Sequence, residues 1–305
     1  MDGHDLILAA APRTHDAPAE PAGVEADAVG RPQGMTTRPD LAALLPALRR
    51  NLGAWAIRIA SLLFGVLLWY LATRMRLKLF VDFENIPSPQ AVAVALFHHL
   101  HQQRFFIDIG VSLARILVSY GLAVVVGIPV GVLIGRIRMA RNVISPWIEV
   151  LRPIPAVAWI PLAILLWPTE ESSIVFITFL GALFPIVLNT AIGAENTPEL
   201  LLRAARSLGA PPAQIFRHVV IPAALPSIGA GLAIGMGVAW FSLLAGEIIS
   251  GQYGIGYFTW NAYSLINYPD IVVGMLTIGL LGTLSTALVR LLMRPLLAWQ
   301  AKSRT

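Results

Sequence analysis

The sequence predicts an all-helical, polytopic membrane protein with six transmembrane helices. Of its 305 residues, 56% are hydrophobic and only 13% are charged, whereas about 25% of the residues in an ordinary soluble domain are charged. The mean hydropathy is correspondingly high, at +0.71. Apolar runs long enough to cross roughly 30 Å of hydrocarbon recur along the chain. These three observations argue against a soluble enzyme.

The polar residues argue against several kinds of site. The chain has no cysteine, which excludes disulfides, thiolate zinc sites, iron–sulfur clusters and cysteine nucleophiles. Neither of its lysines, Lys78 and Lys302, follows a glycine-rich loop, so the sequence contains no P-loop for ATP. The histidines at 98, 99 and 101 predict a hydrated helix face and no metal site. The net charge of +5 fits the Lys and Arg bias of cytoplasmic loops, and we expect no nucleic-acid binding and no cofactor in this chain.

The first part of the chain predicts a tail followed by one span. Residues 1–50 mix proline, alanine, glycine and charge without a sustained period, and we expect a disordered or weakly ordered cytoplasmic tail. Within residues 51–104, the apolar run 56–73 predicts the first transmembrane helix, with Trp69 and Tyr70 near one membrane interface.

An outer amphipathic segment follows the first span. Ser88 and Pro89 are an N-cap and first-turn pair, which predicts a helix over 90–103. Its apolar side chains share one face, and this predicts a helix on the membrane surface. The residues of that face are Val92, Leu96 and Leu100.

Residues 105–295 are predicted to hold the other five spans, and 296–305 a cytoplasmic C-terminal tail. The spans are expected at 106–135, 144–167, 172–193, 222–246 and 271–292. The run 144–167 contains four prolines, so a broken span is expected there. The glycines of the run 222–246 predict close helix packing; they are Gly229, Gly231, Gly235 and Gly237.

Six spans place both termini on one side, and the Lys and Arg distribution indicates the cytoplasm. On that side lie five in the tail, four in 136–152, three in 194–221 and four from Arg290 onward. The predicted outer loops 168–171 and 247–270 have none, and only the outer segment 74–105, with four, departs from the positive-inside rule.

The loop 194–222, called here the coupling segment, is patterned. Thr197 and Pro198 predict the start of one helix, Gly209 its end, and Pro211 and Pro212 the start of a second helix. One face of the first helix is apolar and consists of Leu201, Ala204, Ala205 and Leu208. Outside the bilayer this face needs a covering surface, which is the rest of the chain, lipid headgroups or another protein.

The spacing in this segment favours another protein. Ala204 and Ala205, then Gly209 after three residues, then nine residues and Val-Val-Ile-Pro ending at Pro222, resemble the EAA loop of binding-protein-dependent ABC importer permeases. That family has Glu-Ala-Ala, three residues, Gly, nine residues and Ile-x-Leu-Pro. Here Arg203 replaces the glutamate, Val219 the isoleucine and Ile221 the leucine.

The resemblance covers about residues 105–295 and implies a type I ABC importer permease-like fold in a bacterial inner membrane. It implies a dimer of this chain, two ATPase subunits that hold ATP and Mg, and a soluble solute-binding protein outside. This chain would then be a transport subunit without enzymatic activity. The residues expected to contact the ATPase are Arg203, Ala204, Ala205, Leu208, Gly209 and Pro222.

Two segments resemble one branch of that family. LRPIPAVAWIPLAILLW at 151–167 and NIPSPQ at 85–90 are similar to permeases for nitrate, sulfonate, taurine and bicarbonate. A small, anionic solute of sulfonate or taurine type is therefore expected, with nitrate, bicarbonate or another small organic solute as the alternative. A secondary carrier driven by ions is the rival class. It would need acidic groups near the membrane middle, whereas Asp108 and Glu247 lie near span ends.

Several residues are candidates for the translocation path. Arg115 lies inside the second span, where a charge serves the solute or pairs with Asp108, Glu247 or Asp270. Glu247 precedes a glycine-rich, aromatic outer loop, which predicts a gate, a docking surface or membrane-interface aromatics. The candidates are Arg115, Pro153, Pro155, Trp159, Trp240 and Glu247.

Overall fold

The computed structural model describes residues 41–75 and 86–298, and all regular elements in these ranges are helical. The α-helices are α1 (Leu41–Arg74), α2 (Pro89–His99), α3 (Gln103–Arg136), α4 (Arg138–Leu151), α5 (Ile160–Leu166), α6 (Glu170–Glu195), α7 (Glu199–Ser207), α8 (Pro212–Ile215), α9 (Ile221–Ser250), α10 (Ile255–Ser264) and α11 (Tyr268–Leu296). A 3₁₀ turn, Ala156–Trp159, precedes α5, and a π turn, Phe216–Val220, joins α8 to α9. The chain divides into two units within α1, Met1–Ile59 and Ala60–Thr305, and the packing below is that of the second.

Five helical segments are long and apolar enough to cross a bilayer: Ala56–Arg74, Gln103–Arg136, Glu170–Glu195, Pro212–Ile249 and Tyr268–Leu296. A sixth span, called here the bent span, is formed if Arg138–Leu151 and Ala156–Leu166 are counted together. These two pieces meet at 88°. Pro153 and Pro155 lie in the break; each lacks an amide proton and restricts the residue before it. The predicted break in this segment is confirmed.

Helix α6 forms the centre of the core and packs along α3 on one side and α9 on the other. Glycines at every fourth position of α3 bring its backbone close to α6. A Cβ atom at Gly131 would lie 2.6 Å from both the Val187 carbonyl oxygen and the Thr190 Cβ. Gly231 and Gly235 of α9 approach α6 in the same way, and Gly229 approaches Met293 of α11, which confirms the predicted close packing at these three positions. At Gly237 a Cβ atom would meet no neighbouring element within 4 Å, so the prediction is wrong there.

The spans have two ends, which are named here for reference. The coupling end is the end from which α7 and α8 project, where α3 and α6 finish and α9 starts. The distal end is the opposite one, where α3 and α6 start, α9 finishes and α10 lies. Helices α3 and α6 run parallel, as their contacts show: Gly127 packs on Ile186, and eight residues later Gly135 packs on Ala194.

Helix α2 starts as predicted but differs in its end and its surroundings. The Ser88 hydroxyl accepts a hydrogen bond from the Ala91 amide at 3.3 Å. The helix ends at His99 and not at 103, because Gln102 is extended and starts α3. Val92 is buried in a cluster with Val273 of α11. Val92 and Leu96 of the predicted apolar face thus pack on the protein, so the expectation that they lie on the membrane surface is wrong, whereas Leu100 is 47% exposed.

The chain ends differ from expectation where they are described. Helix α1 starts at Leu41, inside the segment 1–50 for which a tail was expected. Helix α11 continues to Leu296, the first residue of the expected C-terminal tail. The rest of the two expected tails, 1–40 and 299–305, lies outside the described residues.

Candidate functional site

The coupling segment is anchored to the core by one side of α7. Leu202 is 1% exposed and belongs to the core cluster that also contains Val220 and Ala194. The Thr197 hydroxyl donates to the Ala194 carbonyl at 2.9 Å, so Thr197 caps the end of α6. Thr197 was expected to start α7, but the N-cap residue of α7 is Pro198, which makes no side-chain hydrogen bond.

The predicted apolar face of α7 is the exposed one. Leu201 is 49% exposed and Leu208 is 87% exposed, and neighbouring Leu200 is 77% exposed. Ala204 is exposed and Ala205 is half-buried. Within the described chain this face has no cover, and an apolar patch of this kind outside a membrane marks a docking surface.

Gly209 ends α7 through a backbone geometry that favours glycine. Its φ is +76°, in the left-handed region where a Cβ atom is unfavourable. The Ala210 amide donates to the Ala205 carbonyl at 3.1 Å, and the Gly209 amide donates to the Arg206 carbonyl at 2.9 Å. This is the Schellman arrangement of a helix C-terminus. The predicted stop at Gly209 is confirmed.

The second helix of the coupling segment is not a separate element. Helix α8 starts at Pro212 as predicted, but it continues through the π turn into α9. The Ile221 amide donates to the Phe216 carbonyl, five residues earlier. This wider turn accommodates Pro222, whose ring would clash with the carbonyl four residues back in a regular α-helix. Helix α8 is therefore the first part of the helical segment that contains α9.

The charges of α7 pair among themselves. Glu199 lies 3.5 Å from Arg203 and 3.8 Å from Arg206. All three side chains are largely exposed, and such pairs contribute little to stability. Arg203 stands where the resembling family has glutamate, and it leaves this surface basic.

A cavity of about 600 Å³ lies between the bent span, α6 and α9. It is lined by Arg152, Pro153, Ile154, Pro155, Ala156, Leu180, Gly181, Phe184, Pro185, Leu188, Asn189, Ile234 and Val238. Within the described ranges, Arg152 forms no ion pair. The cavity therefore combines an apolar wall with a cation and an amide, Asn189, which suits a small anion.

A buried ion network occupies the distal end. Arg115 of α3 is 4% exposed and donates to Glu247 of α9 at 2.9 Å and to the Tyr253 carbonyl at 2.7 Å. Its Nε donates to Glu171 of α6 at 2.8 Å, and its Nη2 makes a second, closer contact with the same carboxylate. The predicted pairing of Arg115 with Glu247 is confirmed, and Glu171 is an additional partner.

The other two expected partners of Arg115 bind elsewhere. Asp108 accepts from the Gly254 amide at 3.0 Å, and Asp270 contacts His99 at 2.9 Å. The Ser112 hydroxyl accepts from the Ile255 amide at 3.0 Å, and Glu247 accepts from the Gly256 amide at 2.9 Å. Polar side chains of α3 and α9 thus satisfy the free amides at the start of α10.

Two tryptophans complete the predicted path residues. Trp240 of α9 lines a groove of about 750 Å³ against α11, together with Gly282. Trp159 lies in the 3₁₀ turn of the bent span. The indole N–H groups of both side chains are buried without a hydrogen-bond partner in the described residues. The six predicted path residues thus occupy several places, and only Pro153 and Pro155 line the bent-span cavity.

A family model agrees with this architecture. The model for the binding-protein-dependent transport system inner membrane component matches residues 127–299, more than half of the chain. The chain belongs to this family. The matched range includes the bent span, the coupling segment and helices α9 and α11 of the permease.

Curated relatives carry matching descriptions. A probable ABC transporter permease protein of Brucella abortus (strain 2308) is 36% identical over 81% of this permease and 96% of its own length. A nitrate import permease of Synechocystis is 37% identical over 66% of this permease and 76% of its own length. A bicarbonate transport system permease of Synechococcus elongatus is 36% identical over 60% of this permease and 66% of its own length.

A solved structure shares the fold. It is the MetNI methionine ABC transporter in inward-facing conformations, with a TM-score of 0.51, 24% identity, and coverage of 61% of this permease and 93% of that chain. The family match and the curated relatives make the chain an integral component of an ABC importer, a system in which ATP hydrolysis belongs to a separate subunit.

Three structural features of the permease were not predicted from the sequence. Leu202 anchors α7, and it could have been found as the apolar residue opposite the predicted docking face. Glu171 could have been found as an acid at the predicted start of the fourth span, level with Arg115. The four-residue spacing of Gly127 and Gly131, continued at Gly135, signals the close contact of α3 with α6.

Proposed function

We propose that this permease carries a small oxyanion into the cell. The class includes nitrate, bicarbonate and sulfonates such as taurine. The similarity to a nitrate permease and a bicarbonate permease supports an anion. Arg152 in the bent-span cavity, which forms no ion pair with any residue that the structure describes, provides a cation for it. In this proposal the solute passes the break at Pro153 and Pro155, while Trp159 and Trp240 shape the neighbouring helix surfaces.

The observation that carries the coupling part of the proposal is the division of α7 into a buried and an exposed side. Leu202 fixes the helix to the core, and Leu201 and Leu208 remain uncovered. An ATPase subunit docks on the uncovered side. The proposed contact residues are Arg203, Ala204, Ala205, Leu208, Gly209 and Pro222.

Closure of two ATPase subunits on ATP would move two such surfaces together. Because α8 continues into α9, the movement reaches the span that lines the solute cavity. At the far end of α9, Glu247 binds Arg115. In the proposal, Arg115 and Glu247 hold the distal end together and do not bind the solute.

The proposed assembly is a dimer of this permease with two ATPase subunits, and a soluble solute-binding protein at the distal end. Both termini and the coupling segment face the cytoplasm, in agreement with the Lys and Arg distribution. The inner membrane supplies the lipid environment of the exposed apolar residues.

The test is transport by the purified assembly in vesicles, with labelled nitrate, bicarbonate and taurine as solutes. Uptake is expected only with ATP, the ATPase and the solute-binding protein, and for one of these solutes. Uptake driven by an ion gradient without nucleotide would contradict the proposal and favour a secondary carrier. ATP-dependent uptake of an uncharged or cationic solute alone would contradict the anion class.

A further inference from the structure

An apolar pocket of about 450 Å³ lies between the end of α3 and the start of α9, at the coupling end. Its volume is within the range of ligand sites, roughly 300 to 1,000 Å³. Its lining residues are Ile128, Pro129, Val132, Leu133, Arg136, Ile137, Phe216, Ile221 and Ile228. Arg136 is the one charged residue among them, and the others are aliphatic side chains, a proline and a phenylalanine.

The walls of the pocket are fixed by two irregular features. Phe216, 41% exposed, begins the π turn that leads into α9. Pro129 lies inside α3 and removes one backbone hydrogen bond there. On the other side of α3, Gly131 is pressed against α6. The pocket is therefore a consequence of the packed core, and an occupant must match its apolar wall.

The arginine in the wall, with two more arginines close in sequence to lining residues, indicates an anionic head on that occupant. Arg136 is half-buried in the wall. Arg138 follows two residues later, and Arg217 is adjacent to Phe216. Among the described residues, none of these three arginines has a carboxylate within ion-pair distance. Arg141, by contrast, is bound to Glu195 at 2.8 Å.

The position of the pocket relative to the membrane indicates the class of molecule that occupies it. Arg136 ends the span Gln103–Arg136, and Ile221 is the first residue of α9, so the mouth is placed near the boundary between hydrocarbon and headgroups. A molecule with an apolar chain and an anionic head at this boundary is a phospholipid. We infer that this pocket binds one acyl chain of an anionic phospholipid, whose phosphate contacts Arg136.

The experiment uses the full permease, alone and assembled with its ATPase, in phosphatidylethanolamine vesicles doped with phosphatidylglycerol. Each lipid is supplied in turn with a photoreactive diazirine at the middle of an acyl chain. After illumination, adducts are mapped by peptide mass spectrometry. The phosphatidylglycerol probe is expected to label residues 128–137 and 216–228 more strongly than the phosphatidylethanolamine probe does.

Two variants test the two parts of the site. Arg136→Gln is expected to lower labelling by phosphatidylglycerol roughly fivefold and to leave phosphatidylethanolamine labelling unchanged. Leu133→Trp fills the pocket and is expected to lower labelling by both probes. The matched controls are Arg290→Gln on α11 and Leu117→Trp, which lies on the same helix and is 69% exposed. Neither control should change the labelling.

Several outcomes would overturn the inference. Equal labelling of the unaltered permease by both probes would show an acyl-chain site that does not select an anion. Adducts spread evenly over exposed apolar positions of α3 would show ordinary annular lipid. Loss of labelling on assembly with the ATPase would show that a protein covers the pocket. The first two readouts need no variant, so a folding defect cannot obscure them.

Discussion

Among single side chains, Arg115 shows how a charge is accommodated within a membrane span. A lone arginine at the centre of a span costs about 2.5 to 3.5 kcal/mol on insertion scales. Here two carboxylates and a backbone carbonyl surround the guanidinium. Glu171 is 62% exposed and Glu247 only 1%, so the two acids are not equivalent. Glu247 depends on Arg115, whereas Glu171 has water available.

Arg115→Leu is therefore expected to destabilise the permease strongly. It leaves Glu247 buried beside Ser112 without its cation, and breaking such a pair typically costs about 3 to 5 kcal/mol. Thermal unfolding of the purified chain, followed by size exclusion, measures the loss. Glu171→Gln removes the exposed partner and is expected to have a much smaller effect.

The double variant Arg115→Leu with Glu247→Leu separates structure from transport. Removing both charges leaves no buried unpaired ion, because the remaining Glu171 is 62% exposed, so most of the lost stability should return. A stable, fully transporting Arg115→Leu single variant would contradict the assigned role of the pair.

Between helices, the contact of α3 with α6 depends on glycine because backbone meets backbone. Gly131→Ala places a methyl group against the Val187 carbonyl and is expected to destabilise by about 1 to 3 kcal/mol. Gly121→Ala on the same helix is the control, because no atom lies within 4 Å of its Cβ position. It should be neutral or slightly stabilising. Equal melting temperatures for both variants would contradict the packing argument.

In the coupling segment, small residues are proposed to let the ATPase approach closely. Ala205→Trp and Gly209→Asp alter the uncovered surface and leave Leu202 in place. Insertion into the membrane should be normal, whereas ATPase pull-down and uptake should fall at least roughly tenfold, as for a hot-spot loss. Ala114→Trp, on an exposed position of α3, is the control for bulk alone. Normal pull-down and normal uptake by both coupling variants would refute the proposed docking.

The positions of the helices along the sequence were more predictable than the contacts between them. Apolar length and proline positions predicted the spans, including the break at Pro153, because these are local properties of the chain. The additional partner of Arg115, Glu171, was not predicted, because its position depends on where the start of α6 lies, which only tertiary packing decides. The face of α2 was misassigned for the same reason: Val92 is covered by α11, about 180 residues later in sequence. A surface helix and a docked helix have the same apolar period.

In the molecule as a whole, one continuous helical segment joins the coupling end to the distal end. The segment Pro212–Ile249 passes through the π turn without a break. At its far end, Glu247 binds Arg115 and the amide of Gly256. The start of this segment follows α7, which carries the proposed docking surface, and its end lies beside α10. If the segment is one span, these two ends must face opposite sides of the membrane.

That requirement predicts a labelling pattern which the absence of cysteine makes straightforward to measure. Ser207→Cys at the end of α7 and Ser264→Cys at the end of α10 introduce single thiols at exposed positions. In intact cells, a membrane-impermeant maleimide should label position 264 only; in inside-out vesicles it should label position 207 only. Leu117→Cys, on a lipid-exposed part of α3, should resist the reagent in both preparations. Labelling of both loops from the same side would contradict the continuous span, and the reversed pattern would place the coupling segment outside the cell, where no ATPase could reach it.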